Sequence, residues 1–175
     1  MKMLPLYKVF QEGKLEMKQD QVLYPDANGS LRVSFGTVRE CEPEDGLSYR
    51  YYTTMDGMYD KYLNNPNDSE YYLPKKMRDL YQKQDYGRYG DKDGRLRVCF
   101  LTDAHTTSGN SGSAVVNAKG ELVGINFDRL WQGVASDYRY NRDICRNIVV
   151  DIRYILFVLE KYAPSSYVFD EIHIE

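Results

Sequence analysis

Alternating apolar and polar positions predict a series of short β-strands along this chain. Residues 31–38 alternate apolar with small or polar side chains, which is the pattern of a strand with one buried face. Residues 96–101 are mostly apolar and also have strand character. Two further apolar runs, 114–116 and 122–125, flank the turn residues 117–120, and this arrangement predicts a β-hairpin.

Between residues 59 and 84 the pattern changes from strand to helix. Pro74 suits a helix start, and apolar side chains follow at helical spacing at Met77, Leu80 and Tyr81. The spacing predicts a short surface helix within a small helical insertion that lies outside the β-structure.

The C-terminal region predicts a strand followed by an amphipathic helix. Residues 148–150 are β-branched, and the side chain of Asp151 can cap the N-terminus of a helix. Four apolar residues then share one helical face: Ile152, Ile155, Leu156 and Leu159. This stripe favours core packing over a partner site.

The composition is that of a globular chain. Its 175 residues correspond to one domain or to a large part of a bigger one, at about 100–200 residues per domain. A hydrophobic share of 42% supports a packed core, and 17 tyrosines supply most of the aromatic content. A net charge of −3 gives little attraction for nucleic acid or an anionic membrane, so neither is an expected partner.

The cysteines, histidines and apolar segments exclude several further classes. Three cysteines without a CxxC spacing allow one disulfide bridge at most and no zinc ribbon, and two histidines exclude a site with several imidazole ligands. We expect no metal and no cofactor. No apolar run is long enough to span a membrane, and the N-terminal residues lack the apolar core of a signal peptide.

The segment with the clearest chemistry is residues 106–113, in which Gly109 and Gly112 bracket Ser111. A nucleophilic serine needs a tight turn that exposes its hydroxyl, with backbone N–H groups nearby to hold an oxyanion. The two glycines permit such a turn, and the N–H groups of Gly109 and Ser111 are the candidate oxyanion hole. By itself, Gly-Asn-Ser-Gly also fits an ordinary polar loop.

A wider set of segments resembles one family. They are residues 109–115, 117–124, 126–129 and 150–154, and upstream residues 24–28, 31–32, 36–38, 51–54 and 87–89. Together they resemble the C-terminal part of the bacterial dipeptidyl-peptidases 7 and 11, from about residue 20 onwards. A departure is Ala114, where many relatives have proline; it lies outside the chemistry.

The resemblance implies a fold class and a domain organisation. The family consists of long serine exopeptidases, built on a chymotrypsin-like double β-barrel with an additional helical domain. Residues 1–19 are then an N-terminal extension or a linker from a missing upstream region. Residues 20–175 are expected to be mainly β, forming the second β-barrel with a helical insertion at about 59–84 and a C-terminal helix.

The resemblance also implies roles for individual residues. Ser111 corresponds to the nucleophile and Gly109 to an oxyanion-hole N–H. Asp128 corresponds to the anchor for the N-terminal ammonium of the substrate, although a solvated loop aspartate is the alternative. In the family, glycine at the position of Arg129 accompanies hydrophobic residues at the penultimate substrate position, and arginine accompanies Asp or Glu. Arg129 therefore indicates Asp or Glu at that position, as in dipeptidyl-peptidase 11. The alternative for Arg129 is an ion pair with Asp128 or Asp137.

The triad is incomplete in this sequence. In the family the base histidine and its aspartate come from the upstream barrel, and the first histidine here, His105, is six residues before Ser111. We expect His105 to be a loop or surface imidazole and His173 to be exposed. An unactivated serine is a poor nucleophile, so this chain alone is expected to have little turnover.

Two hypotheses about function follow. The first is a part of a serine dipeptidyl-peptidase that acts on peptides with a free N-terminus and needs its missing N-terminal barrel. The second is a catalytically silent peptide-binding or structural β-barrel. The resemblance places the full-length protein in the periplasm or at the surface of a Bacteroides-group bacterium.

Overall fold

The computed structural model describes residues 3–20 and 29–174, which fall into two units divided after Val33. The first unit contains one helix, α1 (Met3–Met17), none of whose residues is buried. The expected extension over residues 1–19 therefore includes a regular helix that the sequence analysis did not predict.

The second unit, from Ser34 onwards, is built around an open antiparallel sheet. Its five strands are β3 (Tyr52–Thr54), β4 (Arg97–Thr102), β5 (Ala114–Val116), β6 (Leu122–Arg129) and β7 (Asn147–Asp151). Their spatial order is β3-β4-β7-β6-β5, and a separate two-stranded sheet pairs β1 (Cys41–Glu44) with β2 (Leu47–Tyr49).

The predicted β-barrel does not appear in the described part of the chain. Closure of the main sheet requires its edge strands β3 and β5 to pair, and each pairs on one side only. The strands β1 and β2 pair with each other and add nothing to the main sheet. The observed sheet is therefore open.

The predicted strand over residues 31–38 is wrong. Only Val38 forms a bridge, to Thr102 at the end of β4. The apolar side chains before it do not face a core, since Leu31 is 92% and Phe35 is 89% exposed. The apolar and polar residues do alternate in the sequence, but the side chains of Leu31 and Phe35 are not buried against other residues.

The strand and hairpin predictions further along the chain are confirmed. β4 covers the predicted run at 96–101, and β5 and β6 form the predicted hairpin. In its turn Gly120 has a φ of +85°, and the side chain of Asn117 accepts hydrogen bonds from the N–H groups of Lys119 and Glu121. These local interactions fix the turn and with it the register of the hairpin.

The helical insertion is part of the main core. The helices α2 (Met55–Asn64) and α3 (Lys75–Gln82) flank Pro74, which occupies the predicted helix start. Met55 and Met77 are buried in one hydrophobic cluster with Leu96, just before β4. The predicted short helix is confirmed, and Met77 is its one buried residue; the sequence did not indicate that Met77 packs into this core.

The C-terminal helices complete the same cluster. Asp151 caps α4 (Ile152–Phe157) as predicted, accepting a hydrogen bond from the N–H of Arg153 at 2.9 Å. Leu156 of the predicted stripe and the neighbouring Phe157 are buried there. A π-helical turn (Val158–Tyr162) and α5 (Ser166–Glu171) follow. For Leu156, and for Ile152, which is partly buried against the cluster, the predicted core packing is confirmed.

Candidate active site

The loop between β4 and β5 folds into two tight turns around Ser111. Gly109 and Gly112 have φ values of +91° and +83°, a region that strongly favours glycine. The side chain of Asn110 accepts hydrogen bonds from the N–H of Thr107 at 2.7 Å and from its hydroxyl at 3.3 Å. The loop is therefore held from within, and Ser111 is exposed at its tip.

Backbone hydrogen bonds attach this loop to strand β6. The N–H of Gly112 donates to the carbonyl of Asn126, and the N–H of Asn126 donates to the carbonyl of Ser113, both at 2.9 Å. In the described part of the chain, the N–H groups of Gly109 and Ser111 have no hydrogen-bond acceptor. These are the two N–H groups that the sequence assigns to an oxyanion hole.

A β-bulge in β6 lies directly beside Ser111. Asn126 pairs with Val149 and Asp128 with Ile148, so Phe127 is an extra residue between two registered pairs. The hydroxyl of Ser111 donates to the carbonyl of Phe127 at 3.1 Å. No local sequence pattern predicts this bulge, because it depends on the register between two strands.

One small polar cleft brings together all four predicted site residues. It encloses about 130 Å³ and is lined by Gly109, Ser111, Asp128 and Arg129, together with Asn126. Asn126 is buried, and its Oδ1 atom has no hydrogen-bond partner among the described residues. No sequence pattern assigns a role to Asn126; its only mark is its place in residues 126–129, a segment that resembles the family.

Asp128 is exposed at the rim of this cleft. One of its carboxylate oxygens, Oδ1, accepts a hydrogen bond from the N–H of Arg129 at 2.7 Å. This contact orients the carboxylate without neutralising it. The side chain can therefore still receive a cation.

Arg129 lines the cleft and also forms the ion pair that the sequence left open as an alternative. Its Nη1 and Nη2 atoms donate to Asp137 at 2.8 and 3.2 Å, and Nη1 also donates to the hydroxyl of Ser136 at 2.6 Å. Hydrogen bonding to Asp137 raises the pKa of Arg129. The pair involves Asp137 and leaves Arg129 at the cleft wall. The sequence did not predict the contact with Ser136.

The two histidines lie outside the hydrogen bonds of Ser111. The imidazole of His105 packs on the ring of Tyr140, with the ring centroids 4.6 Å apart. His173 is exposed in the C-terminal tail. In the described residues the one hydrogen-bond partner of the Ser111 hydroxyl is the carbonyl of Phe127.

A buried carboxylate anchors the start of the loop. Asp103 follows β4, and its side chain is fully buried. Its two oxygens accept from the N–H of Thr37 at 2.6 Å and from Nε of Arg142 at 3.0 Å, and Arg39 lies 3.6 Å away. Burial would raise the pKa of this carboxyl, but these hydrogen bonds outweigh it and lower the pKa to about 2.

We expect Asp103→Asn to destabilise the chain by about 2 kcal/mol at pH 6, the free energy that corresponds to a pKa lowered from its ordinary value to about 2. Because the folded-state pKa is depressed, this stabilisation is present above about pH 4 and is lost as the pH falls through about 2. Urea unfolding at pH 6 and at pH 2 checks this.

The difference in unfolding free energy between wild type and Asp103→Asn should be much smaller at pH 2 than at pH 6, because Asp103 is largely protonated near its folded-state pKa. The matched control is Asp45→Asn, which changes an exposed aspartate in the turn between β1 and β2. A gap between wild type and Asp103→Asn that stays constant between the two pH values would show that the charge of Asp103 contributes nothing.

The described residues contain neither a metal-binding cluster nor a membrane-spanning helix. Within residues 3–20 and 29–174, no group of three or more His, Cys, Asp or Glu side chains is placed to hold a metal ion. None of the helices described here has the length and apolarity needed to cross a bilayer.

Comparisons with known proteins give consistent matches. The family model for Peptidase S46 matches residues 2–174. An Asp/Glu-specific dipeptidyl-peptidase of Capnocytophaga gingivalis is 46% identical over 170 residues, which are 97% of this chain and 24% of that protein. A dipeptidyl-peptidase 7 of Phocaeicola vulgatus is 39% identical over 169 residues, covering 97% and 23% of the two chains.

Solved structures agree with the sequence matches. The crystal structure of Porphyromonas endodontalis DPP11 in complex with the dipeptide Arg-Asp superposes with a TM-score of 0.84 at 41% identity. The match covers 94% of this chain and 23% of that one. The chain therefore spans about a quarter of the length of the relatives that it matches.

Proposed function

Because the chain belongs to the Peptidase S46 family, we propose that it is the C-terminal part of a serine dipeptidyl-peptidase. The enzyme releases dipeptides from free N-termini and prefers Asp or Glu at the penultimate position. The observation that carries this proposal is the cleft that unites Ser111, Gly109, Asp128 and Arg129. The names of both relatives support the same reaction, and the name of the Capnocytophaga gingivalis protein also supports the acidic preference.

In the proposed reaction the hydroxyl of Ser111 attacks the carbonyl carbon of the second substrate residue and loses its proton to the base. The peptide bond after that residue breaks, its amine leaves with that proton, and water then hydrolyses the ester at Ser111 to release the dipeptide. The negative charge that develops on the carbonyl oxygen is held by the N–H groups of Gly109 and Ser111, which have no other acceptor in the described residues. The base that takes the hydroxyl proton is a histidine, oriented by an aspartate, in the upstream part of the full-length protein.

The proposed dipeptide register comes from Asp128. An enzyme that removes two residues needs an anion at a fixed distance from its nucleophile, to bind the N-terminal ammonium of the substrate. Asp128 and Ser111 line the same cleft, and the hydrogen bond from Arg129 N orients the carboxylate. A charge-assisted hydrogen bond to the ammonium then sets the cleavage position.

The proposed acid preference comes from Arg129. A guanidinium presents a planar set of donors that suits a carboxylate, and an apolar side chain there leaves the cation without a substrate partner. Arg129 and Asp128 are adjacent in sequence and line one cleft, so the ammonium and the acidic side chain of a dipeptide can be bound together.

The remaining parts of the proposal concern the whole protein. Since the chain spans about a quarter of its relatives' length, its upstream barrel is the partner that completes the triad. We place the full-length protein in the periplasm or at the cell surface, where peptides with free N-termini are its substrates.

Asp128→Asn, in a full-length enzyme that carries this chain, should lower kcat/KM for a free-amino Xaa-Asp peptide by about 10- to 150-fold, because a hydrogen bond to a charged group contributes ~1.5–3 kcal/mol. Mass spectrometry of the released dipeptide measures this rate. The same peptide with an acetylated N-terminus should be cleaved negligibly by the wild type.

The acetylated peptide is also the control for the function itself. If the wild type cleaves it as fast as the free peptide, the enzyme does not anchor an ammonium. If Asp128→Asn leaves the kinetics of the free peptide unchanged, Asp128 is a solvated loop residue and another group binds the N-terminus.

A further inference from the structure

The guanidinium of Arg129 has its hydrogen bonds concentrated on one side. A guanidinium carries five N–H donors in a plane, so two of its edges can each bind a carboxylate with two parallel hydrogen bonds. Asp137 occupies the edge formed by Nη1 and Nη2, and the hydroxyl of Ser136 takes the second hydrogen of Nη1. Three of the five donors are therefore committed within the protein.

The two remaining donors form the second edge. They are the Nε hydrogen and the outer hydrogen of Nη2, which point the same way in the guanidinium plane. Neither has an acceptor among the described residues. The side chain is 20% exposed and lines the cleft beside Ser111. This edge has the geometry to bind a second carboxylate.

The residues that hold the first edge are themselves held in place. Ser136 is only 3% exposed, and it lies with Asp137 in a 3₁₀-helical segment (Trp131–Asp137). The segment is attached at its start, where the N–H of Leu130 donates to the carbonyl of Arg146 at 2.9 Å. The guanidinium of Arg146 is buried and donates to several backbone carbonyls, including that of Glu40 at 2.7 Å. Asp137 therefore ends a segment that is anchored at its start and through the buried Ser136, while its own side chain is 40% exposed.

We propose that Asp137 and Ser136 are positioning residues that clamp Arg129, so that its Nε/Nη2 edge receives the acidic side chain of the substrate. The inference rests on the proposed function and adds the residues that make Arg129 selective. The clamp removes the rotational freedom of a long side chain before the substrate binds. Asp137 also offsets the charge of Arg129 while no substrate carboxylate is present.

The clamp predicts a specific effect of Asp137→Asn in a full-length enzyme that carries this chain. The ratio of kcat/KM for an Xaa-Asp over an Xaa-Leu reporter peptide should fall by about 2- to 12-fold, the cost of ordering one long side chain on binding. The loss should appear as a higher KM for Xaa-Asp, because the lost contact positions the substrate equally in the ground and transition states.

Two comparisons separate positioning from a general structural effect. Asp93→Asn, at an exposed turn aspartate, makes the same chemical change and should leave the ratio unaltered. In an Arg129→Gly background, Asp137→Asn should not lower the ratio further, because the proposed effect acts through Arg129. The kinetics with Xaa-Leu report whether the variant is folded.

The outcomes are distinct. If the wild type prefers Xaa-Asp but Asp137→Asn keeps or raises that preference, the clamp is overturned and the proposed function stands. Equal losses with both peptides would likewise overturn the clamp, because they indicate a structural role. A wild type that prefers Xaa-Leu would overturn the proposed function and the clamp together.

Discussion

Replacing Ser111 by alanine is expected to abolish dipeptide release in a full-length enzyme that carries this chain. The substitution removes the atom that forms the bond to the substrate. The expected loss in kcat for an Xaa-Asp reporter peptide is roughly 10⁶-fold, the size seen when a serine protease loses its nucleophile. Initial rates at saturating peptide measure it.

The matched control for this prediction is Ser113→Ala. Ser113 lies two residues further along the same loop and is also exposed, but it contributes only backbone hydrogen bonds to the loop. Its substitution should change the rate by no more than a few-fold. If Ser111→Ala keeps the wild-type rate, the assignment of the nucleophile is wrong. Retained binding of an Xaa-Asp dipeptide by Ser111→Ala would show that the cleft is intact.

The elements that could be predicted from sequence are those fixed by local interactions. The hairpin at β5 and β6 depends on Asn117 and Gly120 in its own turn, and the start of α4 depends on the cap by Asp151. The prediction at residues 31–38 failed because alternation specifies a strand only where a partner strand and a core are available. That information lies elsewhere in the chain.

The same distinction applies to the core. The helical spacing of Met77, Leu80 and Tyr81 correctly indicated a helix, but it could not indicate what the helix packs against. That depends on Leu96 and Phe157, which are distant in sequence and meet α3 only in the folded chain. The predicted barrel is likewise not confirmed, because closure of this sheet depends on pairing between β3 and β5, which the described residues do not show.

In the candidate site, residue types were easier to predict than their contacts. The two glycines around Ser111 predict the loop. The resemblance of residues 126–129 to the family predicts Asp128 and Arg129 as site residues. The bulge at Phe127 could not be predicted, because it arises from the register between β6 and β7. The pair between Arg129 and Asp137 was one of two alternatives, and only the path of the 3₁₀-helical segment decides between them.

The second large effect is expected for Arg129→Gly. Removing the guanidinium should lower the Xaa-Asp to Xaa-Leu ratio of kcat/KM by about 10- to 150-fold, since hydrogen bonds to a charged group contribute ~1.5–3 kcal/mol. The rate with Xaa-Leu should rise or stay level, because an apolar side chain no longer desolvates the cation. Steady-state kinetics with matched reporter peptides measure both rates.

The ion pair between Arg129 and Asp137 calls for a control variant beside Arg129→Gly. Arg129→Gly leaves Asp137 without its ion-pair partner beside the cleft, and this carboxylate can itself repel an acidic substrate. The double variant Arg129→Gly/Asp137→Asn removes both charges. A low ratio in both variants would show that the selectivity came from Arg129. Recovery of the wild-type ratio in the double variant would assign the effect to the exposed charge of Asp137.

The acid preference of the wild-type enzyme is the most direct test of the proposed function. The measurement is kcat/KM for Xaa-Asp and Xaa-Leu reporter peptides, with a free N-terminus, on the full-length protein that carries this chain. We predict faster hydrolysis of Xaa-Asp, with release of the intact dipeptide. Faster hydrolysis of Xaa-Leu, or binding of both peptides without any hydrolysis, would contradict an acid-specific dipeptidyl-peptidase built on Ser111, Asp128 and Arg129.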